Sequence, residues 1–330
     1  PAEADEVLGM VRGLTESGGL TVLMITHKFR EVTAFADYVS VLRRGVHVGG
    51  GAVAGLDHGD MAAMMIGDRK PAAATTRHGE TGAPVLAVEN VHAIDRSGLK
   101  SIDIDALTVR AGEIVGIAGV SGNGQMELME ILAGQRPTTT GEIRVKEMPF
   151  HASRAEARDR NVRYLPEEPL RNACAPKMSV AENIAFRTFD VNGDGGGQFW
   201  LRGGDMDKLA RDLVAAFQVR TASLDSPMES LSGGNVQRAV LARELTGAVD
   251  LLIISNPCFG LDFSAVAEIR ARIMTARNGG AAVLLISEDL DEILELADRI
   301  LVMSEGRIVY ETAAGTADIA EIGKHMAGHA

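Results

Sequence analysis

Apolar residues gather along this chain in short dense runs, separated by stretches in which they recur with helical spacing. Ile114-Val-Gly-Ile-Ala118 has no polar position, the mark of a strand buried on both faces. Val162-Arg-Tyr-Leu165, Leu251-Leu-Ile-Ile254, Val283 to Ile286 and Ile300 to Met303 predict further strands. Val85-Leu-Ala-Val88 predicts another, as do Ile102 and Ile104 alternating with Asp103 and Asp105. Asp205 to Phe217 predicts a helix, and Asn192-Gly-Asp-Gly-Gly-Gly197 before it a flexible loop. Strands alternating with helices predict an α/β fold whose mainly parallel sheet is covered on both faces.

The pattern also repeats. Val22-Leu-Met-Ile-Thr26 lies over Val283-Leu-Leu-Ile-Ser287, with Glu31 over Glu292, Ala36-Asp37 over Ala297-Asp298, Val41 over Val302, Gly45 over Gly306 and Gly19 over Gly280. A strand, helix, strand series with common punctuation predicts two homologous domains, the first cut short. Residues 68–84 lack apolar periodicity and are rich in Ala, Thr, Gly and Pro, as a linker is. The expected division is therefore residues 1–67, a linker at 68–84, and a second domain at 85–330. Pro1 is not an initiator methionine, so the chain is expected to be a fragment.

Composition narrows the function. With 330 residues, 46% hydrophobic and 24% charged, the chain is globular and long enough for one domain and part of another. A formal net charge of -12 with no basic cluster excludes nucleic acid as an expected partner. Two cysteines, Cys174 and Cys258, make neither a disulfide framework nor a zinc ribbon, and suit a reducing cytosol. No apolar run approaches the ~20 residues that span a bilayer. His325 and His329 lack carboxylate neighbours at ligand spacing and no metal site is expected; many of the 14 methionines read as core filler, and Met64-Met65 ends a helix-like run.

The chemistry lies in two glycine turns. Leu231-Ser-Gly-Gly-Asn-Val-Gln-Arg238 opens an amphipathic helix with a turn whose backbone amides can close on a phosphate. Gly119-Val-Ser-Gly-Asn-Gly-Gln-Met126 links the Ile114 run to a helix in a strand, turn, helix series that also aims amides at an anion. A working P-loop needs a lysine for the β- and γ-phosphates and a hydroxyl for magnesium, and these positions hold Gln125 and Met126. A dinucleotide fingerprint fits worse, because Gly119, Gly122 and Gly124 are spaced G-x-x-G-x-G.

Together, Gly119 to Gln125, Leu231 to Arg238, Leu251 to Asp262 and Thr26-His27-Lys28 resemble the ATP-binding subunits of ABC transporters, of the fused two-domain type serving sugar and nucleoside importers. The resemblance implies a P-loop nucleotide-binding domain with a helical subdomain, preceded by the C-terminal remnant of another. It implies ATP contacts at Gly119, Ser121, Gly122, Asn123, Gly124, Gln125 and Met126, and a signature at Leu231, Ser232, Gly233, Gly234, Asn235 and Gln237. Glu167 takes the Q-loop position, Ser255 and Asn256 those of the Walker B carboxylates, Glu288 that of the switch histidine, and Asp262 the D-loop. In the first copy the switch position keeps an imidazole, His27, the expected catalytic residue.

The expected function follows. The second domain's pocket has lost lysine, magnesium ligand, base and switch histidine, while its signature completes an ATP site of the first domain. The cofactors are ATP and Mg²⁺, the latter at the first domain's site, whose ligands are not in this chain. Permease subunits and a solute-binding protein are the expected partners, at the cytoplasmic face of the membrane. The alternatives are a non-catalytic regulatory module and a soluble ABC ATPase of ribosome or DNA repair. The latter lacks its discriminators: basic arm, zinc cysteines and long heptads.

Overall fold

The computed structural model describes residues 2–26, 29–43, 45–56, 60–61, 64, 76–94, 98, 101–190, 203–261 and 263–328. The predicted loop at 192–197, His27, Asp262, Met65, His329 and residues 68–75 of the linker lie outside them. The chain divides into two compact units, residues 1–74 with 261–271, and residues 75–260 with 272–330.

In the larger unit the dense apolar runs are strands. β3 (Pro84–Ile94), β4 (Ser101–Arg110), β5 (Ile114–Ala118), β6 (Thr140–Val145), β7 (Met148–Pro149), β8 (Val162–Leu165), β9 (Leu251–Ser255), β10 (Ala282–Ser287), β11 (Arg299–Ser304) and β12 (Arg307–Ala313) form one sheet in the order β7-β6-β3-β4-β12-β11-β5-β10-β9-β8. β11, β5, β10, β9 and β8 are parallel, and β5, β9 and β10 are buried at every position. The expectation of a mainly parallel sheet holds for this half; β3, β4, β6 and β7 form an antiparallel wing, and β11 and β12 an antiparallel hairpin. Both faces of the parallel half are covered. Leu128, Met129, Ile131 and Leu132 from the helix Gln125–Leu132 join one core with Val115, Ile117, Ile253, Leu284 and Ile286 of the sheet. On the other face Gly116 lets the helix Leu290–Leu296 approach so closely that a Cβ there would stand 2.6 Å from Ile293 Cγ2 and 3.1 Å from the Ala297 Cβ.

The predicted helix near Asp205 runs Gly203–Ala216 and packs with Val180–Ala185 and Gly233–Glu244 as a helical layer. Ser179 and Glu182 form a capping box that starts Val180–Ala185. Beneath it lies a buried charge cluster: Glu244 accepts from Arg243 Nε at 2.7 Å and from Arg187 Nε at 2.9 Å, while Arg243 Nη1 donates to the Ala173 and Asn183 carbonyls. Burial would raise the Glu244 pKa, but Arg243 and Arg187 outweigh it and hold the carboxyl below its ordinary value.

The smaller unit contains the helices Ala2–Glu16 and Phe29–Phe35, the hairpin β1 (Tyr38–Arg43) and β2 (Val46–Ala52), and a turn at Val53–Gly55. Each has a counterpart in the second copy, Phe263–Asn278, Leu290–Leu296, the β11–β12 hairpin and Ala314–Thr316, with matching bounds except that Phe263–Asn278 is one residue longer than Ala2–Glu16. The register break between Val41 and Leu42 recurs between Val302 and Met303. Thr26 Oγ1 donates to Glu31 at 2.6 Å as Ser287 Oγ donates to Glu292 at 2.8 Å. The predicted strand at Val22 to Thr26 is the exception: these residues form no strand, and Leu23 and Ile25 are 92% and 95% exposed. Its counterpart β10 is held between β5 and β9, whereas residues 2–16 form a helix and supply no such neighbours.

Glu244→Ala leaves Arg243 and Arg187 without their carboxylate, one of them buried. The expected loss is about 3–5 kcal/mol of unfolding free energy, read from urea denaturation against the wild-type chain.

Candidate functional site

Beyond Ala118 the chain turns through Gly119–Gly124 into the helix Gln125–Leu132. Gly124, at φ 109°, adopts a left-handed conformation, and a Cβ there would meet Met303 Cε at 2.7 Å and Ile102 Cδ1 at 2.8 Å. The loop is therefore seated directly on β11 and β4. Asn123 fastens it further: its Oδ1 accepts from the Glu305 N–H at 3.1 Å, and its carbonyl accepts from the Gly306 N–H at 2.9 Å. The amides of the helix's first turn have no partner within the helix and carry its positive dipole end. A cavity of about 410 Å³ opens between Gly122 to Gly124, Ser101 and Ile102 of β4, and the Glu305–Gly306 turn, with Glu127 on its wall.

The side chains entering the helix carry no charge. Gln125 Nε2 donates to the Val120 carbonyl at 3.2 Å, closing the loop on itself. Met126 is 64% exposed and presents a thioether. Among the described residues no three His, Cys, Asp or Glu side chains converge as metal ligands. A hard cation prefers oxygen donors, so the Met126 thioether is a poor ligand for magnesium.

Strand register brings the other predicted residues to the opposite side of the loop. Ser287 pairs with Ala118, Ile286 with Ser255, and Ile254 with Leu165, so the residues that follow stand along one sheet edge. There Asn256, at φ 44°, links the three strand ends. Its N–H donates to the Ile286 carbonyl at 2.8 Å, its Oδ1 accepts from the Glu288 N–H at 2.9 Å, and its side chain hydrogen-bonds the Glu167 carboxyl. Burial and, next, the charge of Glu288 raise the Glu167 pKa above its ordinary value, against the lowering effect of the Asn256 bond. Ser255 is buried at the end of β9. Glu167, Asn256 and Glu288 are thus one cluster, in which a neutral amide that cannot take a proton from water meets the Glu167 carboxyl and the Glu288 backbone N–H.

The signature turn faces outward. Ser232 caps the helix Gly233–Glu244 in extended conformation, Ser232 and Gly233 are exposed, and a Cβ on Gly233 would meet nothing within 4 Å. Leu231 and Gly234 are half-buried. Asn235 donates from Nδ2 to Ser232 Oγ at 2.8 Å and accepts the Arg220 N–H at 2.8 Å, which holds the turn in shape. Gln237 points inward instead: it is buried and donates to the carbonyls of Asn256 and Pro257. This tie between signature helix and β9, and the Glu167–Asn256–Glu288 cluster, are invisible in the residue spacing. The one clue in the sequence is that each cluster member follows a strand-like run.

The raised Glu167 pKa has a pH signature. A carboxyl with a raised folded pKa favours the fold below its unfolded value of 4.5, and that contribution is lost as pH rises through the raised value. Glu167→Gln is therefore expected to raise the thermal midpoint at about pH 7 and to leave it unchanged at about pH 4, as differential scanning fluorimetry across pH would read.

Residues 102–258 match the family model described as ABC transporter. The chain is 41% identical over 99% of its length to a glucose import ATP-binding protein of Haloferax volcanii, covering 60% of it. It is 34% identical over 99% of its length to a nucleoside import ATP-binding protein of Lactococcus lactis, covering 65% of it. A ribose import ATP-binding protein of Rhodococcus jostii is 34% identical over 96% of the chain, which covers 61% of that relative. The chain thus spans less than two thirds of the length of these curated relatives. Among solved structures, a dimeric ATP-binding cassette in a post-hydrolysis state bound to ADP and Pi superposes with a TM-score of 0.58 at 20% identity, over 69% of this chain and 98% of that one. That likeness is one of fold. With the phosphate loop and the outward turn at Ser232, residues 102–258 match the ABC transporter family model, and the chain is similar to the ATP-binding proteins of sugar and nucleoside importers.

Proposed function

We propose that this chain is the energy-coupling part of an ABC importer for simple sugars or nucleosides, in which the turn at Ser232 and Gly233 completes an ATP site on another nucleotide-binding domain. The observation that carries this reading is an asymmetry within one unit. The signature turn is exposed and braced, whereas the unit's own pocket has Gln125 for a lysine, Met126 for a hydroxyl and the Glu167–Asn256–Glu288 cluster beside it. Phosphoryl transfer depends on positioning and on stabilising developing negative charge. A pocket with carboxyls beside it and a neutral amide in place of the loop lysine supplies the opposite field and does not turn nucleotide over, while the backbone amides at the start of the helix Gln125–Leu132 still offer a phosphate cradle.

The matched bounds of the repeated elements support residues 1–67 as the closing part of a first nucleotide-binding domain, 68–84 as a linker and 85–330 as a second domain. On this reading His27 is the switch histidine of the live site, Asp262 belongs to the D-loop between domains, and magnesium acts at the first domain's pocket. The chain alone is then inactive. The names of the relatives support permease subunits and a solute-binding protein as partners, with the protein peripheral on the cytoplasmic membrane face. No helix among the described residues is long and apolar enough to cross a membrane.

Ser232→Arg places a long cation on an exposed turn, where the fold tolerates it. In the intact protein assembled with its permease, ATP hydrolysis is expected to fall by about a hundredfold or more, with a cooperative unfolding transition retained although the Asn235 bond to the Ser232 hydroxyl is lost. Hydrolysis at the wild-type rate would refute the proposal.

A further inference from the structure

Sheet order places a cavity on one flank of the phosphate loop and a cluster of strand-end polar side chains on the other, with two glutamates on each. The loop follows β5, which lies between β11 and β10 in the parallel half. On the β11, β12 and β4 side lies the cavity of about 410 Å³, lined in part by Glu127 and Glu305. On the β10, β9 and β8 side stand Glu288, Asn256 and Glu167. A ligand whose body fills the cavity and whose anionic group meets the loop amides must direct any further charge toward those carboxyls. Gln125 narrows the passage as well, since its amide folds back onto the Val120 carbonyl and lies where a Cβ of Gly119 would be.

We propose that this pocket selects a nucleoside diphosphate over the triphosphate, with Glu167 and Glu288, joined through Asn256, rejecting the third phosphate. The inference rests on the reading that the pocket holds nucleotide, and adds which one. Its physical basis is charge. A terminal phosphate arriving at the cluster meets two carboxyls, the half-buried Glu167 and the exposed Glu288, and like charges interact more strongly than in water at the half-buried one. The Glu167 carboxyl already resists ionisation there, chiefly because of burial and then because of Glu288. A diphosphate stops short of the cluster and keeps the loop amides.

The selectivity would make the second pocket a retainer of hydrolysed nucleotide, filled by the product of a neighbouring live site rather than competing with it for ATP.

The test is equilibrium binding of fluorescent ADP and ATP analogues to the whole chain, with and without magnesium, alongside Glu167→Gln combined with Glu288→Gln. The wild-type chain is expected to bind ADP about tenfold tighter than ATP. The double variant should bring ATP affinity to within about threefold of ADP affinity while leaving ADP affinity unchanged. Equal or tighter ATP binding by the wild type in either condition overturns the selectivity and leaves the nucleotide pocket standing, as does a variant that shifts both ligands alike. Absence of binding by both nucleotides overturns the selectivity together with the reading of a nucleotide-holding pocket. Unfolding midpoints of both proteins at the assay pH verify that the variant is folded.

Discussion

The in-register ends of β5, β10, β9 and β8 decide where every polar group of the pocket stands. Parallel strands hydrogen-bonded in sequence finish along one edge, and whatever residue follows each strand is delivered there. Gly119, Glu288, Asn256 and Glu167 come from four distant parts of the chain, and only the pairing of Ser287 with Ala118, Ile286 with Ser255 and Ile254 with Leu165 makes them neighbours. The apolar interior of the sheet is what holds the register, because a slip by one residue would turn buried side chains to the wrong face.

A second constraint is the seating of the loop. Gly124 lies against Met303 and Ile102 with no room for a side chain, and Asn123 binds the Glu305–Gly306 turn. Anion recognition by backbone amides requires only that the loop keep its shape. Losing the lysine and the hydroxyl therefore removes chemistry without removing the cradle. The helical layer is braced separately, by the Glu244 cluster and by Gln237, whose side chain ties the signature helix to the end of β9. A change at the strand ends is thus mechanically connected to the signature turn through one buried amide.

Much of the fold was legible in the residues. The bounds of β5 and β8 coincide with their apolar runs, β9 is one residue longer at one end, and β10 and β11 are one residue longer at each end. Burial on both faces leaves little ambiguity in such runs. The strand read at Val22 to Thr26 shows the limit of the same signal. Its sequence is as apolar as β10, yet it has no flanking strands here, and an apolar run becomes a strand only when neighbours take up its backbone hydrogen bonds.

The sequence by itself determined the chemistry of the pocket's parts: Gln125 and Met126 carry no charge, Asn256 accepts no proton, and Ser232 with Gly233 opens a helix at its positive end. It could not determine that Gln237 turns inward while Ser232 stays open, nor that Asn256 binds both Glu288 and Glu167. Those are distances between residues far apart along the chain. They are set by strand register and helix packing, which exist only once the sheet has closed.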